Sequence, residues 1–295
     1  MTVLVTGGTG FVGGHVVQAL RAEQRPVRAL VRDPRKGAGL AGLGCELVSG
    51  DLTDPQSLRA AVAGCDAVVH LVAIRRGRPA DFERVMTQAT RDLVAAAREA
   101  GVRRFVLMSA AGTSEQTAGA VPYFRAKWQM EQIVGESGLE HVIFRPSFVF
   151  GADGGVLPLF IRQVRYSPVT PVIGAGLHRV QPIWADDVAA FFAAALDHPG
   201  AANRIFELGG PDVVTWNELY ERIAKVLHKR RRRLNIPSGL LRAGAGLTER
   251  LPGAPVTRDE IAMIEIGDNV IANPDAVETF ELPLVPLDEQ IRRAA

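Results

Sequence analysis

Residues 6–13, Thr-Gly-Gly-Thr-Gly-Phe-Val-Gly (TGGTGFVG), decide the fold of this 295-residue chain. They lie between a short apolar run, residues 3–5, which predicts a β-strand, and residues 11–22, whose apolar spacing predicts a helix. Glycines let the backbone turn tightly and approach a pyrophosphate, and a helix N-terminus offers free N–H groups and a partial positive charge. A strand, a glycine turn and a helix in this order predict a dinucleotide-binding site.

The residues of this loop have different tasks. Gly7 and Gly10 allow the turn and the close approach, whereas Gly13 lets the helix pack closely on the preceding strand. The other candidate cofactor contacts in the loop are Thr9, Phe11 and Val12.

The first 150 residues alternate between strand-like and helix-like segments. The predicted strands are residues 3–5, 27–31, 46–48, 67–71, 105–108 and 142–144. The predicted helices are residues 11–22, 55–63, 81–100 and 123–136, with Asp54 before Pro55 and Gly101 after Ala100 as boundary signals. Such alternation predicts an α/β fold, a doubly wound parallel sheet of the Rossmann type with helices on both faces.

Beyond residue 150 the regular alternation of predicted strands and helices ends. Residues 151–183 are rich in Gly and Pro, with one helix predicted at 155–164; further on, residues 184–196 and 215–227 predict helices and residues 205–208 a strand. We therefore predict an NAD(P)-binding domain at residues 1–150, completed by about 184–210. Residues 151–183 and 211–295 would form a smaller C-terminal lobe for substrate or partner.

Composition excludes several classes of function. Thirty-four Lys and Arg against 32 Asp and Glu give a net charge of +2, which argues against nucleic-acid binding. Cys45 and Cys65 cannot form a disulfide framework, and the scattered histidines predict no metal site. Without a leader pattern or a run of about 18 apolar residues, we expect a cytoplasmic protein.

The end of the second predicted strand bears on the choice of dinucleotide. An acidic residue there would bind a ribose 2′-hydroxyl, but the position about 20 residues beyond the glycine loop is Arg32. A guanidinium suits a 2′-phosphate, so we expect NADP rather than NAD, unless Asp33 turns inward. Asp51 and Leu52 are candidates to contact adenine, although Asp51 could instead be a turn residue.

Tyr123 and Lys127 are four residues apart on a predicted helix, which puts both side chains on one face. A nearby ammonium favours phenolate, so we expect Lys127 to lower the pKa of Tyr123 towards useful acid–base strength. Tyrosine could then donate a proton to a carbonyl oxygen, or remove one from an alcohol, while a nicotinamide moves hydride.

With this pair the sequence resembles the extended, atypical short-chain dehydrogenase/reductase family. Within that family it looks most like bacterial relatives of the nucleotide-binding accessory subunit of respiratory complex I, which the segment 252–269 supports. The matching segments are TGGTGFVG (6–13), GDLTD (50–54), VVHLVA (68–73), FVLMSA (105–110), YFRAK (123–127), RPSFVFG (145–151) and QPIWADDVA (181–189).

The resemblance implies roles for particular residues. It implies a phosphate grip by Gly7, Gly10 and Gly13, and a catalytic role for Tyr123 and Lys127. Further cofactor contacts are implied for Arg32, Asp51, Leu52, the strand end His70 to Ala73 with Leu71 and Val72, and Pro146, Ser147 and Phe148 near the nicotinamide.

Two departures from the family pattern bear on turnover. The position of the usual catalytic Ser or Thr is Ala110, so Ser109, Thr113 or Ser114 would have to supply the hydroxyl. Met86 stands where many relatives carry an asparagine.

Two charged segments have alternative interpretations. Asp186 and Asp187 could mimic a paired-carboxylate site, but they fit better as acidic residues at a helix start. The run 228–233 (HKRRRR) fits a solvated helix end, or a docking site for anionic lipid or an acidic partner. Residues 238–251 beside it could lie on a membrane, line an apolar pocket or pack on their own domain.

Three hypotheses of function follow. The first is an NADPH-dependent oxidoreductase acting on a small carbonyl, alcohol or quinone-like compound. The second is a non-catalytic NADPH-binding accessory or assembly subunit of a respiratory-type complex, in contact with membrane or partner through residues 228–251. The third is an NADPH redox sensor. Helices 81–100 and 123–136 could pair two copies into a homodimer.

Overall fold

The computed structural model describes residues 1–237, 239 and 267–295. Its strands are β1 Val3–Thr6, β2 Val27–Val31, β3 Glu46–Ser49, β4 Ala67–His70, β5 Arg104–Met108, β6 Glu140–Pro146, β7 Val149–Phe150, β8 Val169–Ile173, β9 Arg179–Val180, β10 Ile183–Trp184, β11 Arg204–Leu208, β12 Val214–Thr215 and β13 Arg232–Ile236.

The helices connect these strands. They are α1 Phe11–Ala22, α2 Ala38–Gly42, α3 Pro55–Val62, α4 Pro79–Phe82, α5 Ala89–Glu99, α6 Glu115–Ala118, α7 Pro122–Gly135, α8 Leu157–Tyr166, α9 Ala185–Ala194, α10 Trp216–Val226, α11 Asp275–Phe280 and α12 Leu287–Ala294. Short 3₁₀ turns cover Pro34–Gly37 and Pro199–Ala201.

The central sheet confirms the predicted fold class. Seven parallel strands lie in the order β11-β6-β5-β4-β1-β2-β3, so the direction of winding reverses beside β1. Every residue of β1 and β4 is buried, as expected for a parallel sheet covered on both faces. Helix α1 packs against α9, whereas α5 packs against α3 and α7. The cleft at a topological switch point is where such sheets bind ligands.

The helix predicted for residues 81–100 is divided into three parts. A π-helical segment, Glu83–Gln88, separates α4 from α5. From the first turn of α5, the Thr90 hydroxyl donates to the carbonyl of Met86 in this segment at 2.6 Å. Hydroxyl groups that bond to the preceding turn compete with regular helix bonds, a local effect that hydrophobic periodicity does not show.

The chain divides into two compact units. The first contains Met1–Pro146, Ala185–Leu208 and Ala272–Pro283, and the second Ser147–Trp184, Gly209–Ile271 and Leu284–Ala295. Residues 272–283, which were predicted to be part of the lobe, belong instead to the first unit, where α11 packs. Phe280 contacts the rings of Phe144 and Phe206, and Asp275 pairs with Arg204 at 2.6 Å.

Short strand pairs characterise the second unit. β7 pairs with β10, β9 with β12 and β8 with β13. The helix predicted for residues 155–164 begins later, at Leu157, because Gly155 has a φ of +71° and cannot continue a right-handed helix. Pro158 follows in the first turn, where proline is tolerated.

Only the first part of the basic run 228–233 forms a helix end. His228, with a φ of +52°, terminates α10, but Arg231 donates to the carbonyls of Val164 and Arg165 at the C-terminus of α8. Arg232 and Arg233 then lie in β13. Arg231 therefore caps a helix of the second unit, and Arg232 and Arg233 belong to a strand; neither role was expected from the sequence. Two segments singled out in the sequence, 238–251 and 252–269, lie mostly outside the described residues, which omit 238 and 240–266.

Among residues 1–237, 239 and 267–295, no helix is both long enough and apolar enough to cross a lipid bilayer.

A capping box at the start of α10 provides a test of local stability. Thr215 accepts from the Glu218 amide at 3.2 Å, and the Glu218 carboxylate accepts from the Thr215 amide at 2.7 Å. Thr215→Ala should lower the free energy of unfolding by about 1 kcal/mol, because one amide loses its acceptor. Thr215→Ser keeps the hydroxyl and should retain most of that stability in urea denaturation. Equal losses for both variants would contradict this role.

Candidate active site

The glycine loop forms a backbone cradle at the N-terminus of α1. Gly7 turns with a φ of +80°, and the Gly10 amide donates to the Gly7 carbonyl at 2.9 Å. Gly10 is the N-cap residue and offers no side chain to bond the first amides of the helix. These amides are therefore available to an anion, as at other phosphate-binding helix starts.

The packing around the loop explains its glycines. A Cβ atom on Gly13 would lie 2.1 Å from the Gly7 carbonyl oxygen, and one on Gly7 would lie 3.1 Å from the backbone of Leu71 and Val72. Side chains are thus excluded from the cradle wall. Thr9 and Gly10 are exposed and Phe11 is half-buried, whereas the Val12 side chain packs in the core and presents only its backbone. The cradle fits the diphosphate of a dinucleotide.

At the end of β2, Arg32 is exposed and Asp33 is held elsewhere. The Asp33 carboxylate accepts from the Arg35 amide at 3.1 Å and from its guanidinium at 3.0 Å, which caps the 3₁₀ turn. The hydrogen bonds of the Arg35 side chain lower the pKa of Asp33. The inward-turned Asp33 considered from the sequence is therefore not found.

Asp51 and Leu52, the two residues after β3 that were predicted to contact adenine, have different surroundings. Asp51 accepts from the amide and hydroxyl of Thr53 at 2.8 and 2.7 Å, which makes it a turn residue and lowers its pKa. Arg32 and Arg84 also favour its charged form. Leu52 is buried in the same core cluster as Leu30 and Leu58.

The end of β4 contains a buried polar network. His70 lies between the hydroxyls of Thr6, 2.6 Å from Nδ1, and Thr90, 3.0 Å from Nε2. Because Thr90 donates to the Met86 carbonyl, it accepts from Nε2–H, and Nδ1 accepts from Thr6. Burial lowers the pKa of His70 to about 3, so the ring is neutral. His70 thus joins β1 to α5 and has no spare nitrogen for a cofactor.

The residues after His70 adjoin the cradle. The Leu71 amide donates to the carbonyl of Thr6 at 3.1 Å, which places this segment beside the glycine loop. Leu71 is buried, whereas Val72 and Ala73 are half-buried. Their backbone is therefore next to the position where a diphosphate would bind.

Lys127 is fully buried and points to the carboxyl end of β5. Its Nζ atom donates to the carbonyl of Met108 at 2.6 Å and lies 5.9 Å from the ring centroid of Tyr123. Burial lowers the pKa of Lys127 to about 8, against the opposing effect of Glu131.

The expected effect of Lys127 on Tyr123 is wrong for this structure. Burial raises the pKa of Tyr123 to about 12, and the cation that opposes the rise is Arg75, not Lys127. Sequence spacing placed the two side chains on one face, but it did not show that the phenol packs against the apolar core. Tyr123 is therefore protonated at neutral pH.

Two of the three hydroxyl candidates lie together. Ser109 donates to Thr113 Oγ1 at 3.4 Å, and Thr113 donates to the carbonyl of Ala110 at 2.7 Å. Both side chains are buried. Ser114 instead caps α6, where it accepts from the Thr117 amide at 3.2 Å. Ser109 follows Met108 directly, so the Ser109–Thr113 pair adjoins the strand end that receives Lys127.

Met86 and the segment 146–148 are the other residues that the sequence singled out near the cofactor. Met86 is buried in the core and its side chain offers no amide. In the first unit, Pro146 ends β6 and its carbonyl accepts from the Ala111 amide at 2.9 Å. In the second unit, Ser147 donates to the carbonyl of Asn269 at 3.1 Å, and the Phe148 ring packs edge-on against Trp216 at 5.3 Å.

The acidic pair Asp186 and Asp187 lies at the start of α9, where negative charge favours the helix dipole. Both residues lie in the first turn, and Asp186 contacts His15 Nδ1 at 2.5 Å. No group of three or more His, Cys, Asp and Glu side chains in the described part of the chain could hold a metal ion.

Sequence reasoning missed Glu131 and Arg145. The two form a buried ion pair next to Lys127, with Arg145 Nε donating to Glu131 at 2.8 Å. The position of Glu131, four residues after Lys127 on the same helix, was a visible signal. Its partner could not be found that way, because Arg145 comes from a separate strand.

Two adjacent glycines give a matched test of the cradle. Gly13→Ala should abolish cofactor binding and reduce stability, since its Cβ atom would collide with the Gly7 carbonyl. Gly14→Ala is the control, because a Cβ atom there meets nothing within 4 Å and alanine favours the helix by about 1 kcal/mol. NADPH fluorescence titration and thermal unfolding measure both effects. Full binding by Gly13→Ala would disprove the cradle.

Comparison with known proteins agrees with this geometry. A family model described as NAD(P)H-binding matches residues 7–199. An NAD(P)H azoreductase of Xenophilus azovorans is 31% identical, over 74% of this chain and 71% of that protein. A mitochondrial NADH dehydrogenase [ubiquinone] 1 alpha subcomplex subunit 9 of Arabidopsis thaliana is 28% identical, over 96% of this chain and 73% of that protein.

A solved structure has a similar fold along the whole chain. It is a short-chain dehydrogenase/reductase superfamily protein of Agrobacterium tumefaciens with bound NAD. Its TM-score is 0.74 at 25% identity, covering 100% of this chain and 96% of that chain.

Proposed function

The chain belongs to the NAD(P)H-binding family, and from this premise we propose that it is an NADPH-dependent reductase of a small carbonyl or quinone-like compound. The observation that carries the proposal is the position of Tyr123 and Lys127 on one face of α7, with Lys127 directed at the end of β5. The azoreductase among its relatives is consistent with reductase chemistry.

Proton transfer to a carbonyl oxygen is the step assigned to Tyr123. Its pKa of about 12 keeps the phenol protonated at neutral pH, which is the form that can donate a proton. Because such a phenol is a weaker acid than an ordinary tyrosine, it would give its proton to a substrate oxygen that has gained negative charge from hydride transfer. This favours reduction of a carbonyl over oxidation of an alcohol. A bound reduced nicotinamide would supply the hydride.

Lys127 and the hydroxyl pair support this step. With a pKa of about 8, Lys127 is mainly charged at neutral pH, and its ammonium can donate to a cofactor ribose hydroxyl. Ser109 would serve as the auxiliary donor to the substrate oxygen, in place of the absent hydroxyl at Ala110, by turning its proton away from Thr113, to which it donates over 3.4 Å. Thr113 could take this part only by giving up its bond to the Ala110 carbonyl.

The preference for NADPH rests on the end of β2. Arg32 is exposed there, while Asp33 is engaged with Arg35 and does not compete for a ribose hydroxyl. A guanidinium free to meet a 2′-phosphate gives charge-assisted hydrogen bonds that NADH cannot receive. We therefore assign the 2′-phosphate contact to Arg32.

A second candidate function is a non-catalytic NADPH-binding subunit of a larger complex. Ala110 and Met86 depart from the catalytic pattern, and one relative is a complex I subunit. In that case Tyr123 and Lys127 would hold the cofactor as a structural element. A redox-sensing role and a homodimer through α5 and α7 stay predictions.

Replacement of the phenol distinguishes these functions. Tyr123→Phe should reduce NADPH turnover with quinones or aromatic aldehydes by about 10²–10⁴-fold, because the proton donor is lost. Its affinity for NADPH, measured by fluorescence titration, should stay within about twofold of the wild-type value. Wild-type protein that binds NADPH but turns over no compound of the panel supports the accessory role.

Replacement of Arg32 tests the choice of cofactor. Arg32→Gln should weaken NADPH binding by about tenfold and leave NADH binding unchanged, because the charged contact is specific to the 2′-phosphate. Arg98→Gln, at an exposed position in the last turn of α5, serves as the control for lost positive charge, because it leaves the Asp33–Arg35 pair intact. Calorimetric titration with both nucleotides measures the effect, and equal losses for NADPH and NADH would refute the assignment.

A further inference from the structure

We propose that Glu131 and Arg145 form a positioning pair for Lys127: Arg145 occupies both carboxylate oxygens of Glu131 and so leaves the Lys127 ammonium directed at β5. The value of this device to the protein rests on the proposed function, in which Lys127 serves the cofactor and Tyr123.

Lys127 is followed on α7 by an acidic residue at helical spacing. Lys127 and Glu131 are four residues apart, so their side chains are neighbours on one helix face, and opposite charges at this spacing normally attract. In the structure, however, Lys127 Nζ donates to the carbonyl of Met108 at 2.6 Å.

Arg145 explains why Glu131 does not take the ammonium. From β6, its Nε donates to one carboxylate oxygen at 2.8 Å and its Nη2 to the other at 2.5 Å. The Glu131 side chain is 1% exposed, so solvent does not supply an alternative partner. A planar fork that matches both oxygens is the strongest arrangement available to such a pair.

The other groups that face Lys127 carry little charge. His70 on β4 is neutral, Tyr123 on α7 is protonated at neutral pH, and Met108 on β5 contributes a carbonyl. Glu207 on β11 acts on Arg145. The charge state of Lys127 is therefore governed by its burial and by how far Arg145 neutralises Glu131.

Loss of Arg145 alone should have a directional consequence. Glu131 would become a buried carboxylate without its partner, and Lys127 would be the nearest cation to pair with it. The ammonium would then turn from Met108 towards Glu131, and its pKa would rise because the carboxylate favours the charged form. Removing Glu131 as well should cancel this rise.

Lysine titration by NMR tests the pair directly in the cofactor-free full chain. Labelling at Cε gives four signals, from Lys36, Lys127, Lys225 and Lys229, and Lys127→Arg identifies the relevant one. The wild-type signal should titrate near pH 8. Arg145→Met should move the midpoint up by about one pH unit or more, and Glu131→Gln with Arg145→Met should return it towards wild type.

Two further variants complete the test. Arg104→Met breaks a different pair, Arg104 with Glu140 at 3.1 Å, at the opposite end of β5, and should leave the Lys127 midpoint unchanged. Arg145→Lys keeps a charge without the fork and should give a smaller rise, which preserves the test if Arg145→Met does not fold.

An unchanged midpoint in a folded Arg145→Met or Arg145→Lys variant would overturn the proposal, as would a double variant that titrates like Arg145→Met. The readout needs neither cofactor nor turnover. A protein without reductase activity would therefore leave this result intact, and a failed titration would leave the proposed function standing.

Discussion

The close approach of α1 to the Gly7 carbonyl is the constraint on which the candidate site depends. A Cβ atom at Gly13 would lie 2.1 Å from the Gly7 carbonyl oxygen, so the helix can begin at Phe11 only because residue 13 has no side chain. The same approach turns the first helix amides outward beside Leu71, at the point where the order of strands reverses. The diphosphate site, its partial positive charge and its place at the switch point follow from this contact.

Around this cradle, buried polar groups are matched in pairs or chains. Thr6, His70, Thr90 and the Met86 carbonyl link β1, β4 and the π-helical segment through one neutral ring. Lys127 donates to the carbonyl of Met108 on β5. Because unpaired polar groups in an interior are costly, such networks hold the strand ends in one arrangement. In this arrangement Tyr123 is protonated at neutral pH and the pKa of Lys127 is about 8.

Hydrophobic periodicity was sufficient for the elements that depend on local pattern. It predicted α1 and β2 with their observed bounds and placed Tyr123 and Lys127 on one helix face. It could not predict properties that arise from contacts between distant segments. The pKa of Tyr123 depends on burial. Arg231 caps α8 at carbonyls that lie 67 and 66 residues earlier in the chain. The two-residue strands β7 and β10 exist only as partners. The pairing of Asp33 with Arg35 was local, but several turn geometries were compatible with its sequence.

Hydrogen–deuterium exchange with and without saturating NADPH is the most direct measurement of the central claim. Amides 8–14 at the cradle and 71–73 beside it should become protected, because they face or adjoin the diphosphate. The amides of β13 in the second unit should serve as an internal reference. Saturable NADPH binding that leaves exchange across residues 8–14 unchanged would contradict the account.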